Sequence, residues 1–314
     1  MANDVNLALH SRFGVSPFLT DGGLETYLIF QEGFDLPQFA AFPLLRDPLG
    51  RQALRRYFDG FLDEAAALEM GFVLDTATWR ASTGWGARLG WGADEVDAVN
   101  REAVALAKGL RAGRAGEIVL NGVIGPQGDA DRPEAVVSAA EAEAYHGRQI
   151  GVLAEAGVEM LTAMTLSAPG EAVGIARAAR KAGVPVVLSF TVETDGRLIG
   201  GQSIAEAIAE TDAATADYAA WYGINCAHPG HFAADLIGDF ARRVGMLRAN
   251  ASRQSHVELA EAEELDAGDP VELSQDYVRM RQILPRLRVV GGCCGTDLRH
   301  IAAIGQRFAH AHAH

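Results

Sequence analysis

Apolar and polar positions alternate between two rhythms along this chain. Short apolar runs read as buried strands: Pro17-Phe18-Leu19-Thr20, Phe72-Val73-Leu74, Glu117-Ile118-Val119-Leu120, Met160 to Thr165, Val186 to Thr191, Trp221 to Ile224, Gly245 to Asn250 and Leu287 to Val290. Between them, apolar positions recur at helical spacing, as in Leu54, Tyr57, Phe58, Phe61, Leu62, Ala65 and Leu68. Helix boundaries carry the expected residues: Asp94 as an N-cap type, Ser138 with Glu141 at capping-box spacing, and Gly71, Gly157 and Gly183 at helix ends. Further helices are expected after Ser203, from His231 to Phe240, from Pro270 to near Pro285 and from Leu298 to Phe308. The segment up to Pro48 reads as irregular.

A helix–Gly–strand unit recurs in Met70-Gly71-Phe72, Ala156-Gly157-Val158 and Ala182-Gly183-Val184. Eight strands alternating with helices, without a linker-like break, predict an α/β chain folded as a single (βα)₈ TIM barrel domain over 1–314. Function in such barrels sits at the C-terminal ends of the strands.

The strand ends hold the chemistry. Gly291-Gly292-Cys293-Cys294-Gly295-Thr296 follows the eighth strand, and Gly223-Ile224-Asn225-Cys226 closes the sixth. These are the three cysteines of the chain. Three thiols at strand ends read as one soft-metal site, Zn²⁺ with three sulfur ligands and an open fourth position. Buried thiols or a vicinal Cys293–Cys294 disulfide are the alternatives. Flanking glycines are expected to distort the strand end, so that adjacent side chains converge.

Composition narrows the field. A net charge of −14 without a basic block argues against a nucleic-acid or anionic-membrane surface. No apolar run approaches the ~18 residues of a membrane span, the N-terminus lacks signal-peptide features, and the odd cysteine count is no disulfide framework. A cytoplasmic protein is expected. Ser252 to Pro270 carries six carboxylates, Glu258, Glu261, Glu263, Glu264, Asp266 and Asp269; it reads as a solvated loop, or as a lid. His310, His312 and His314 read as a solvated tail.

The glycine-rich cysteine pair, the upstream Gly-x-Asn-Cys and the Thr20-Asp21-Gly22-Gly23 motif together resemble the homocysteine S-methyltransferases, almost end to end. The resemblance implies a (βα)₈ barrel, Zn²⁺ on Cys226, Cys293 and Cys294, and Asp21 as a contact of the amino acid acceptor. It implies two small-molecule partners, an onium methyl donor such as S-methylmethionine or betaine and a thiol acceptor such as homocysteine. It implies no catalytic residue beyond the metal-activated acceptor thiolate. Gly22, Glu25, Trp79, Met164 and Asn225 complete the candidate substrate contacts, with Trp79 as a cation–π surface for the donor and Trp85 or Phe42 as further candidates. Two positions depart from the family. Met164 stands where a glutamate usually meets the acceptor's amino group, and Thr76-Ala77-Thr78-Trp79-Arg80 has no tyrosine of the kind the betaine enzymes carry after strand two. Homocysteine is therefore expected to bind more weakly than in relatives with the glutamate, or another thiol or selenol is preferred. A zinc-dependent barrel hydrolase is a rival, although no His-x-His follows the first strand; a non-enzymatic zinc or thiol sensor is another.

Overall fold

A computed structural model describes residues 2–14, 17–129, 137–262 and 264–310. Eight parallel strands close into a barrel: β1 (Phe18–Leu19), β2 (Phe72–Asp75), β3 (Ile118–Ile124), β4 (Met160–Leu166), β5 (Val186–Phe190), β6 (Trp221–Asn225), β7 (Val244–Ala249) and β8 (Val289–Gly292). Closure is made by Phe18 pairing with Val289 and Leu19 with both Phe72 and Val290.

The side-chain alternation of a strand decides what faces the barrel axis. Each strand contributes one residue to a single buried apolar cluster: Phe18, Val73, Val119, Met160, Val187, Trp221, Met246 and Val289. This is the lower interior. Two residues further along, on the same parity, stand Thr20, Asp75, Asn121, Thr162, Ser189, Gly223, Arg248 and Gly291. The interior thus changes from apolar to polar toward the C-terminal ends of the strands. The polar layer is internally bonded: Asn121 Nδ2 donates to Asp75 Oδ1 at 2.7 Å, and Thr162 Oγ1 to Asn121 Oδ1 at 3.0 Å. The opposite strand parity, including Leu19, Leu74, Leu120, Leu161, Leu188, Tyr222, Leu247 and Val290, packs against the surrounding helices in one large cluster.

Several local expectations are corrected. A helix at Ala2–Arg12 was not legible; with Phe13 it covers the lower end of the barrel, placing Leu9 and Phe13 in the interior cluster. The segment before Pro48 is not wholly irregular, since Leu24–Phe30 forms a helix. The expected helix His231–Phe240 is instead a four-residue turn of helix, Pro229–Phe232, with 3₁₀ turns at Ala233–Asp235 and Asp239–Arg243. Gly238, at φ 133°, interrupts it in a conformation other residues avoid. The helix expected from Asp94 begins at Ala93, capped by Gly92. β3 extends to Ile124 rather than stopping near Leu120. Of the histidine tail, 311–314 lies outside the described residues. Among the described residues, no helix is long and apolar enough to cross a membrane.

Candidate metal and substrate site

β8 ends at Gly292, and both cysteines of the pair sit in the turn that follows. The strand is not distorted, contrary to expectation. Its glycines serve close approach: a Cβ at Gly291 would lie 2.3 Å from Thr20 Cγ2, and one at Gly292 would lie 2.0 Å from Thr296 Oγ1. The turn is closed by Thr296, whose backbone N–H and Oγ1 both donate to the Cys293 carbonyl, at 3.1 and 2.7 Å. Cys226 follows β6 directly, with φ 59°. These two strand ends bring the three sulfurs together within 4.8 Å of one another, and Cys226 Sγ lies 3.7 Å from Cys294 Sγ. Hydrogen bonds from Cys226 and Cys294 hold the Cys293 thiol well below its ordinary range, while the same crowding pushes Cys226 well above.

The remaining predicted residues gather around this centre. Asp21, Gly22, Glu25, Trp79, Met164 and Asn225 all line one open cavity, together with the three cysteines. Asn225 is tightly oriented. Its Oδ1 accepts from Ser189 Oγ at 2.6 Å and from the Thr165 N–H at 2.9 Å, while its Nδ2 reaches Cys293 Sγ at 3.9 Å. Met164 is 7% exposed. Its thioether is at most a weak acceptor and carries no charge.

Asp21 has a different partner from the one expected. Arg248, buried in β7, bonds Asp21 Oδ1 through Nη2 at 2.5 Å and pairs with Asp75 Oδ2 through Nη1. It also donates to the carbonyls of Gly22 at 3.1 Å and Gly292 at 2.9 Å. Burial pushes Asp21 up to about 7, with Arg248 opposing and Asp75 reinforcing the shift. Glu25 is also pushed up to about 7 by burial, with Cys293 and Asp21 adding negative charge nearby. Among the described residues it forms no ion pair.

Above this chamber lies an outer one, sharing Thr26, Phe39, Trp79, Thr165, Cys226 and Cys294 with the first. The Ser252–Pro270 loop helps to roof it: a short helix, His256–Glu261, and residues Leu259, Ala262, Glu264, Leu265 and Asp266 line it. The loop is therefore more than a solvated excursion; Glu263 lies outside the described residues. Glu193 lines neither chamber and contacts His256. Trp79 lines both chambers, with the Arg80 guanidinium 4.7 Å from its ring. Asp129 pairs with Arg80. Trp85 and Phe42 are packing residues: Trp85 is 1% exposed between Arg80 and Arg88, and Phe42 is 1% exposed against Trp91.

Sequence reasoning missed Arg248, Asp75 and His256 as site residues. For the first two a signal existed. Asp75 and Arg248 share the inward parity of otherwise apolar strands, and opposite charges on inward positions must meet inside a barrel.

The metallated form of the homocysteine methyltransferase MmuM from Escherichia coli is similar in fold, with a TM-score of 0.75 and 20% identity over 96% of this chain and 99% of that one. Its oxidised form gives a TM-score of 0.74 at 20% identity, over 93% of this chain and 96% of that one. Its apo form gives 0.68 at 20% identity, over the same shares of the two chains. No curated protein matches the sequence. A family model described as homocysteine S-methyltransferase matches residues 18–308, from the first residue of β1 through the cysteine pair to the last helix, so the chain belongs to the homocysteine S-methyltransferase family.

Proposed function

We propose that this chain, acting as one domain, transfers a methyl group from an onium donor to the sulfur of an amino-acid thiol such as homocysteine. It would use Zn²⁺ held by Cys226, Cys293 and Cys294. The observation that carries this reading is the meeting of three sulfurs, within 4.8 Å, in a cavity also lined by Asp21, Glu25 and Asp75. The donor set fits the ion: three sulfurs without competing histidine or carboxylate ligands favour a soft, four-coordinate cation. When bound, the ion would supply acidification of the acceptor's thiol.

The protein's own groups do the rest. Asn225, fixed by Ser189 and Thr165, presents its amide N–H to Cys293 and tempers the negative charge there. The two chambers hold acceptor below and donor above, which supplies the positioning on which a bimolecular transfer depends. The acceptor's sulfur forms a bond to the methyl carbon while the carbon–onium bond breaks. The donor leaves as a neutral thioether or amine, and the thiol's proton goes to solvent. Mass spectrometry of the products formed by the Zn²⁺-loaded protein from panels of thiols and onium donors tests this directly. Absence of any methylated thiol would sink it.

Glu25 supplies the acceptor's ammonium contact in this reading. Asp21 is committed to Arg248, and Met164 carries no charge, which leaves Glu25 as a cavity carboxylate that forms no ion pair among the described residues. A charge-assisted hydrogen bond contributes about 1.5–3 kcal/mol. Glu25→Gln is thus expected to raise the KM for homocysteine roughly 10- to 150-fold and leave 4-mercaptobutyrate, which lacks the amino group, unaffected. Equal effects on the two thiols would exclude the contact.

The donor's cation is assigned to the Trp79 ring. Arg80 covers that ring but is neutralised by Asp129, so a second cation meets no net charge there. Cation–π contacts contribute about 0.5–2 kcal/mol. Trp79→Leu should raise the donor's KM by roughly 2- to 30-fold; unchanged KM and kcat would remove Trp79 from the donor site.

A further inference from the structure

We propose that His256, on the loop after β7, is a positioning residue for Cys226; this rests on Cys226 being a ligand of the proposed metal centre. Cys226 has φ 59°, a region that non-glycine residues enter at a cost of order 1–3 kcal/mol and keep only when their surroundings hold them there. Its backbone is held at both polar groups. The N–H donates to the Arg248 carbonyl at 3.1 Å. The carbonyl faces three side chains: His256 Nε2 at 2.6 Å, Asn250 Nδ2 at 3.0 Å and Thr191 Oγ1 at 3.5 Å.

The three contacts come from different places. Thr191 directly follows β5 and Asn250 directly follows β7, so both belong to the barrel rim. His256 alone arrives from the loop, and it makes the shortest contact. Its Nδ1 lies 3.2 Å from Glu193 Oε1, beyond the end of β5, and its Nε2 lies 3.2 Å from Thr191 Oγ1. It opens the short helix whose N-cap, Ser255, is locked to Glu258 by a capping box. One side chain therefore ties the roof of the outer chamber to the backbone of a sulfur ligand. Sulfur placement depends on that backbone: if its anchors are lost and the residue leaves the left-handed region, Sγ swings from Cys294, now 3.7 Å distant. Residues that orient ligands in this way typically change metal affinity 10- to 100-fold when removed.

The test compares three full-length variants by chelator competition with Zn²⁺ and with Co²⁺, and by the sulfur-to-cobalt charge-transfer band. His256→Ala should lose about 10- to 100-fold in affinity for both ions and shift the band. His256→Gln, which keeps an N–H donor, should hold affinity near wild type. Ser255→Ala removes the cap but keeps the His256 imidazole and its Thr191, Glu193 and Cys226 contacts, and should bind closer to wild type than His256→Ala does. His256→Ala binding as tightly as wild type overturns the proposal. So does a loss of equal size in His256→Gln, or in Ser255→Ala, since either would trace the effect to loop order rather than to the donor. A wild type that takes up neither ion overturns the metal centre and the role of His256 with it. A wild type that binds metal while His256→Ala binds equally well overturns His256 alone.

Discussion

Replacing Cys226, Cys293 or Cys294 by serine is expected to remove bound metal and methyl transfer together, with each single change lowering metal affinity by more than ~100-fold. Sulfur is the property at stake. Serine preserves shape, but its hydroxyl stays protonated at neutral pH and offers a hard oxygen where the proposed ion needs a soft thiolate. The loss exceeds that for an outer-shell residue, whose removal costs roughly 10- to 100-fold. The fold should survive, because each cysteine sits just past a strand end and contributes to neither barrel cluster. Metal content by elemental analysis, read beside circular dichroism, separates the two effects. Full metal content in both Cys293→Ser and Cys294→Ser would refute the assignment.

The second large effect is on stability. Arg248→Met should destabilise the barrel by about 3–5 kcal/mol, because it leaves Asp21 and Asp75 buried beside each other without their shared cation. Both carboxylates have side chains only 3% and 6% exposed, so water cannot substitute. The same change also orphans the Gly22 and Gly292 carbonyls that Arg248 serves. A thermal melt should show a midpoint lower by roughly 5–15 °C. Adding Asp21→Asn and Asp75→Asn to that variant should recover much of the loss, since neutral amides are far cheaper to bury than carboxylates. A melt for Arg248→Met within a degree or two of wild type would mean that the network carries no net stability.

Much of this was legible from local pattern alone. Phe72-Val73-Leu74 and Met160 to Thr165 could be read as strands because apolar runs bounded by turn residues leave few other conformations. Ser138 with Glu141 marked a helix start that the structure reproduces as a reciprocal capping box. Gly157 and Gly183 marked helix ends that the structure places in the left-handed region. The helix over the barrel floor was hidden because Ala2–Arg12 has weak amphipathic patterning; among the described side chains, Leu9 and the following Phe13 join the interior apolar cluster. The Leu24–Phe30 helix was hidden by its brevity and by the prolines downstream.

The residues around the cysteines divide in the same way. Strand alternation and strand-end placement are local properties, so the barrel and the strand-end positions of the three thiols, Asp21, Trp79 and Met164 could be read from the sequence by itself; Gly22, Glu25 and Asn225 entered with the family resemblance, and all of them line the inner cavity. Pairing is not local. Asp21 and Arg248 are 227 positions apart, and His256 meets Cys226 from a loop that read as a solvated excursion or a lid. Which carboxylate is neutralised by Arg248, which forms no ion pair among the described residues, and which side chain grips the Cys226 carbonyl were decided only when barrel closure brought β1, β2, β6 and β7 to a common axis.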